Sequence, residues 1–298
     1  SWRFEGYQSN LQFGRAIAGG GDVNGDGLPD LVIGALRRFD SGNNGLLTVF
    51  YGNRTAINPD PDWEHLPPEN GTGFASSLLM AGDVNRDGYD DVIVGATRLT
   101  RNRMEEGAVF LFSGSRAGLL GEPVWSAFGG ATNTYFGDRL ATGDVNGDGF
   151  LDLLVGAPTH PVDGVKRGRV LLFLGGPAGF SKTPAWTADG AASDSYFGGA
   201  IAVMGDINGD GCSDFLVGMP YRTTGPDVGK AFLYLGARSG MSTTPVWTAL
   251  GRAPGARFGS AIASVGDVNG DGFGDVLIGS PELRIADGGE GRASLFLG

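Results

Sequence analysis

The sequence predicts an all-β protein of five four-stranded antiparallel units, and three observations carry that expectation. A nine-residue phrase, with Asp at positions 1, 5 and 9, Asn at 3 and Gly at 6, occurs five times in 298 residues. Its copies begin at Asp22, Asp83, Asp144, Asp206 and Asp267, which lie 61, 61, 62 and 61 residues apart. A Trp (Trp2, Trp63, Trp125, Trp186, Trp247) and a Phe (Phe13, Phe74, Phe136, Phe197, Phe258) keep the same step. Between these markers lie short apolar runs bounded by Gly, which read as strands and not as helices.

Each unit resolves into four strands in order. The first follows a Phe-Gly pair (Phe-Ala in the second unit) and leads into the Asp-rich phrase. The second leaves that phrase as an apolar run ending in Gly: Leu31 to Gly34, Val92 to Gly95, Leu153 to Gly156, Phe215 to Gly218 and Val276 to Gly279. The third is a Leu/Phe-rich run such as Val170 to Leu174, and the fourth carries the Trp. Four-stranded units repeated radially make a β-propeller, and five blades fall within the usual range. A linear array would need capping repeats that are not evident. The chain opens on a Trp strand (residues 2–6) with no three strands before it, and ends on a third strand (residues 292–298). Pairing those ends would close the ring of one domain, residues 1–298, and cover two strand edges. A piece of a longer propeller cut in the same register would show the same ends.

The phrase itself points to a cation. Oxygen-bearing side chains at positions 1, 3 and 5 of a tight loop converge on one point, and a Gly at position 6 allows the sharp turn. Position 7 varies freely, which fits a backbone carbonyl ligand, and the Asp at position 9 closes the shell. The expected ligand sets are Asp22, Asn24, Asp26, Leu28 and Asp30; Asp83, Asn85, Asp87, Tyr89 and Asp91; Asp144, Asn146, Asp148, Phe150 and Asp152; Asp206, Asn208, Asp210, Cys212 and Asp214; and Asp267, Asn269, Asp271, Phe273 and Asp275. Such oxygen-only sets suit Ca²⁺, about one ion per blade; Mg²⁺ demands stricter octahedral geometry, and zinc or copper would want Cys and His. The alternative is a set of Asx-turns in which Asp and Asn cap their own backbone. The second copy departs from the others: Arg86 replaces Gly at position 4 and Asp90 adds an acid at position 8. Both side chains are expected to face solvent.

Composition bounds the function. The net charge is −11, yet 16 of the 33 acids lie in the five phrases, so five Ca²⁺ ions would leave about −1. The acidity is concentrated in the loops, which argues against nucleic acid as a partner. A single Cys rules out internal disulfides, and no run approaches the roughly 18 apolar residues of a membrane span. No signal peptide lies within the chain. The two histidines, His65 and His160, hold non-equivalent places in the repeat and have no nucleophile spaced to suit them, so no catalytic constellation emerges.

The Phe-Gly, the Asp-rich loop and the Gly156-Ala157-Pro158 that follows it, with variants such as Gly218-Met219-Pro220 and Gly279-Ser280-Pro281, resemble FG-GAP repeats. These build the integrin α-subunit propeller and domains of many bacterial secreted proteins, and the resemblance covers the whole chain. Two departures stand out. Integrin propellers have seven blades, and only some of theirs bind calcium, whereas five complete loops stand here. The resemblance points to a microbial relative of that propeller. It implies metal loops on one face and a ligand-binding face opposite, formed by the loops between strands two and three and between strands four and one.

Those opposite loops are where the chain stops repeating itself and where its basic residues gather. Function sits preferentially on variable loops held by a rigid scaffold. The candidate ligand-binding residues are Tyr135, Tyr196, Tyr221, Arg37, Arg98, Arg167 and Arg222. The five Trp residues keep so strict a period that they read as structural. The expected role is a calcium-stabilised extracellular module, secreted or on a cell surface, that binds a protein or glycan, either as a monomer or within a larger chain. A passive spacer is the main alternative, and a polysaccharide-active hydrolase or lyase a lesser one.

Overall fold

A computed structural model of the chain describes residues 3–6, 11–37, 45–55, 57–67, 73–221, 228–284 and 290–298. They hold strands and turns and no helix. The first sheet runs β1 (Leu11–Gly19), β2 (Leu31–Arg37), β3 (Leu46–Phe50) and β4 (Trp63–His65). The second repeats that order with β5 (Phe74–Gly82), β6 (Asp91–Ala96), β7 (Ala108–Phe112) and β8 (Trp125–Phe128). The third uses β9 (Arg139–Gly143) and β10 (Asp152–Ala157), then an unexpected hairpin of β11 (Pro161–Val162) and β12 (Val165–Lys166), then β13 (Arg169–Phe173) and β14 (Trp186–Asp189). The fourth is β15 (Ala200–Gly205), β16 (Asp214–Met219), β17 (Lys230–Tyr234) and β18 (Trp247–Leu250). The fifth has three strands, β19 (Ala261–Gly266), β20 (Asp275–Ser280) and β21 (Arg292–Phe296).

Neighbouring strands are antiparallel, as in the register of β6 against β7 from Val92–Phe112 to Ala96–Ala108. This is the all-β organisation of a five-bladed β-propeller. The pairing expected to close the ring is not seen among the described residues. The strand expected from residues 2–6 as the fourth member of the last sheet is not among the described strands: residues 3–6 form none, and Trp2 lies outside the described residues. Phe4 packs on Phe13 and Phe50 of the first sheet, with ring centroids 5.0 Å away in each case. His65 holds that place one repeat later, 5.7 Å from Phe74 and 4.9 Å from Phe112. The N-terminal segment therefore keeps its repeat position without becoming a strand.

The chain divides into two compact units, residues 1–140 with 175–180 and residues 141–174 with 181–298. The first has a core of Val32, Val49, Phe74, Val92, Val94 and Phe112, and the second one of Leu154, Val170, Leu172, Phe197, Phe215 and Val217. Second strands carry most of this burial: β6, β10 and β16 are buried along their whole length, which is why they read as unbroken apolar runs. The described Trp residues are packing residues. Trp125 meets Phe180 edge-on at 5.3 Å, and Trp186 meets Phe215 and Tyr234 at 5.4 and 5.3 Å.

The Phe-Gly and the Gly of Gly-Ala-Pro turn out to be two sides of one contact. The Phe is buried (Phe136, Phe197) and the next residue takes a left-handed backbone, φ 91° at Gly137 and 85° at Gly259. Its carbonyl then presses on the Gly that ends the second strand of the preceding repeat. A Cβ on Gly95 would lie 2.5 Å from the Gly137 oxygen, and one on Gly218 only 2.1 Å from the Gly259 oxygen. Glycine is required there because the backbone of the next repeat fills the space a side chain would need.

Candidate metal loops and ligand face

Each Asp-rich phrase joins the first strand of its sheet to the second, so all five loops leave equivalent strand ends. The loops between strands two and three leave the opposite ends. In every loop the position-1 carboxylate accepts the N–H groups of positions 5 and 6; for Asp22 these are Asp26 at 3.0 Å and Gly27 at 2.8 Å. Asp83, Asp144, Asp206 and Asp267 repeat the pair. The position-3 Asn donates its amide to the position-5 carboxylate, which also accepts the position-7 N–H, as in Asn146–Asp148 at 2.9 Å and Phe150–Asp148 at 2.8 Å. The position-6 Gly sits at φ 83° to 94° in all five loops.

The position-9 acids behave differently. Asp30, Asp91, Asp152, Asp214 and Asp275 are all buried. One oxygen accepts the N–H of position 2, as Asp91 does from Val84 at 3.0 Å. The other accepts a glycine N–H beyond the third strand: Gly52 to Asp30, Gly114 to Asp91, Gly236 to Asp214 and Gly298 to Asp275, at 2.8 to 3.0 Å. Burial pushes the Asp30 and Asp214 carboxyls up against these lowering bonds, and pushes Asp91 up to about 6. At the loop rim the direction reverses: the Gly272 N–H holds Asp267 below the usual carboxylate range, and the Asn208 amide does so for Asp210.

As folded here the loops are closed by these Asx-type hydrogen bonds. Among the described residues, no group of three or more His, Cys, Asp or Glu side chains stands ready-made around a metal position. The donor set nevertheless fits a hard cation. Each carboxylate that spends lone pairs on N–H groups keeps others, since two oxygens offer about four acceptor sites. A dication beside a buried position-9 acid would also supply the positive charge that its ionised form lacks.

The departures in the second loop divide. Arg86 is exposed as expected, at φ 62° where the other loops have Gly. The expectation for Asp90 is wrong. Its carboxylate accepts the N–H of Asp22 at 2.8 Å and its own N–H donates to the Asp22 carbonyl at 3.0 Å. The contact spans 68 residues, so a reading confined to one loop leaves Asp90 without a partner and places it in solvent. Cys212 is buried at position 7 and burial raises its thiol, as suits a small apolar filler.

On the opposite ends, Tyr196 packs on Tyr221 with ring centroids 4.8 Å apart, and the Arg98 guanidinium lies 5.5 Å over Tyr135. Arg167 contributes its carbonyl, which accepts the Ser195 hydroxyl at 2.7 Å. Arg37 ends β2, with its side chain outside the described residues, and Arg222 lies outside them altogether. Sequence reasoning missed Arg257, which covers Tyr221 at 4.7 Å and pairs with Glu282 at 2.5 Å. It precedes Phe258 as Tyr135 and Tyr196 precede Phe136 and Phe197, and that shared register was the available signal. Arg101, one of the basic residues expected in these loops, lies 4.4 Å over Phe128. Of the basic residues expected in loops, Arg169 lies in β13 and is held by Asp189 at 2.5 and 2.8 Å.

Repeated four-stranded sheets with Asp-rich loops between their first two strands define a repeat propeller. Residues 22–94 match the FG-GAP-like repeat model, and residues 136–173 and 258–296 match the FG-GAP repeat model. The chain is an FG-GAP, integrin-like β-propeller domain. It is 37% identical over 168 residues to integrin alpha-IIb of Mus musculus, covering 53% of this chain and 16% of that one. With integrin alpha-PS2 of Drosophila melanogaster it shares 33% identity over 236 residues, 71% of this chain and 15% of the relative. Integrin alpha-V of Gallus gallus matches at 30% over 214 residues, 68% and 19%. The chain thus spans under a fifth of the length of these relatives. No helix among the described residues is long and apolar enough to cross a membrane.

Proposed function

We propose that this domain is a calcium-stabilised adhesion-type recognition module that works outside the cytosol and binds a protein or glycan, and that it is not an enzyme. The observation that carries the calcium reading is the buried position-9 acid repeated in five loops, each of which also carries oxygen-bearing side chains at positions 1, 3 and 5. Within each loop, positions 1, 3, 5 and 9 and the position-7 carbonyl would hold the ion. The ion supplies the positive charge that stabilises the ionised buried acid. Recognition then falls to the opposite loops, where Arg98, Tyr135, Tyr196 and Tyr221 offer planar cation and ring surfaces suited to carboxylates and sugars. The integrin relatives support adhesion as the role.

Thermal melts with excess Ca²⁺ and with EDTA test the metal. An ion at 1,000 times its Kd stabilises by about 4 kcal/mol per site, so chelation lowers Tm by about 10 °C or more. An unchanged melt removes the calcium reading. Arrays of glycans and extracellular matrix proteins probed with and without Ca²⁺ test recognition, and a hydrolase or lyase screen that registers turnover overturns the non-enzymatic role.

A further inference from the structure

The loops of the first two repeats are joined through Asp90. It stands between Tyr89 and Asp91, positions 7 and 9 of the second loop, and grips both backbone groups of Asp22, position 1 of the first. Its carboxylate takes the Asp22 N–H at 2.8 Å and its N–H gives to the Asp22 carbonyl at 3.0 Å. A further bond ties the first loop to the turn beyond β7, Ser115 N–H to the Val23 carbonyl at 3.1 Å. The Tyr89 ring covers Gly25, so closely that a Cβ there would lie 2.6 Å from it. The third and fourth loops show the backbone half of this arrangement, Ser213 N–H to the Asp144 carbonyl at 2.7 Å, with Ser in place of the acid.

Resting on the calcium reading above, we propose that the first two loops fill cooperatively and that Asp90 is the positioning residue that couples them. Ordering Asp22 around an ion fixes Asp90, and fixing Asp90 fixes the ligands on either side of it in the second loop. The second ion then meets residues whose conformational freedom is already spent, which is positive cooperativity by ordering alone. Coupling of this kind is reciprocal: each loop changes the affinity of the other by one factor. The carboxylate also places a negative charge at the junction of two loops that would each hold a dication. Serine at the equivalent position of the fourth loop keeps the backbone bond but shows no side-chain bond like that of Asp90, so the third and fourth loops couple less.

Calcium titrations of the whole chain, followed by NMR, test this site by site. The Gly27 and Gly88 amides donate to Asp22 and Asp83 and so report the filling of their own loops. Asp26→Asn disables the first loop without touching Asp90, and the expected result is a second-loop affinity about fivefold or more weaker. Asp87→Asn should weaken the first loop by the same factor. In an Asp90→Ser background both effects should fall to less than half while both amides still titrate. Unchanged titration of Gly88 in Asp26→Asn, or coupling undiminished by Asp90→Ser, overturns the proposal and leaves the calcium reading standing. Failure of both amides to respond to Ca²⁺ in the unaltered chain overturns the two together. Should Asp90→Ser not fold, Asp90→Asn keeps an acceptor for the Asp22 N–H; coupling retained there supports positioning through that bond, and coupling lost there overturns it.

Discussion

The guanidinium of Arg257 lies 4.7 Å over the ring of Tyr221, and the same contact occurs between Arg98 and Tyr135 with the partners exchanged. Arg98 and Tyr221 each follow a second strand, while Tyr135 and Arg257 each precede the Phe of the next repeat. In these two repeats the position holds a cation on a ring, and either side supplies either part. Arg257 and Tyr135 also share a left-handed backbone, φ 53° and 50°. A bulky side chain at such a φ costs of order 1 kcal/mol, so the contact offsets a local strain.

Arg257→Ala loses the ring contact and the exposed ion pair with Glu282 while keeping the strain. It should destabilise the protein by about 1 kcal/mol. Arg257→Gly loses the same contacts but relieves the backbone, and should be close to neutral. Denaturant unfolding of both variants decides the matter, because equal losses would show that the backbone at 257 carries no strain.

Glycine at the end of a second strand is the most demanding position in the repeat. Gly218→Ala places a methyl 2.1 Å from the Gly259 oxygen, a backbone atom that cannot swing aside. The expected loss is about 3 kcal/mol or failure to fold, at the upper end for overpacking. Gly121→Ala, where no atom lies within 4 Å of the added carbon, is the control and should change stability by under about 0.5 kcal/mol. Comparable losses at the two sites would remove the account of the Phe-Gly and Gly-Ala-Pro pairing.

Removing one loop should be felt locally. Asp144 accepts the Asp148 and Gly149 N–H groups, and Asp144→Ala leaves both without that acceptor in a loop that also loses its proposed ion. Without Ca²⁺ the expected cost is about 1–2 kcal/mol, and with Ca²⁺ the gap from the unaltered chain should widen. Hydrogen exchange should quicken first at β9 and β10, which flank the loop. A gap that does not respond to Ca²⁺ means the third loop holds no ion.

The features legible in the sequence are those the backbone repeats in every unit. The Phe, the position-6 Gly and the Trp answer to local geometry that recurs, so their period survives in a single chain. What stayed hidden depends on pairs far apart in sequence. Asp90 has its partner 68 residues away, and Arg257 has a ring for partner that another repeat replaces with a cation. The closing pairing is harder to read for a related reason. Residues 2–6 carry the repeat signature in sequence, and Phe4 obeys it by packing on Phe13, but a signature specifies packing partners and not strand hydrogen bonds.

Two buried groups should set opposite pH slopes in the calcium-free protein. His160 is buried with its Nδ1 lacking a hydrogen-bond partner, and burial, helped by Arg169, pushes it down to about 4 from 6.5. Between those values the unfolded chain binds the extra proton, so the stability His160 contributes is whole above pH 6.5 and fades as pH falls through 4. Asp91 runs the other way. Burial lifts it to about 6, so the folded state holds the extra proton between about 4 and 6, and its contribution fades as pH rises through 6. The two should largely cancel, leaving a shallow profile from pH 4 to 6.5. His160→Phe should therefore reveal a chain that grows more stable on acidification in EDTA, and Asp91→Asn one that loses stability faster than the unaltered protein. Melts across that range check both signs, and parallel profiles for the two variants would mean that neither group titrates as its burial dictates.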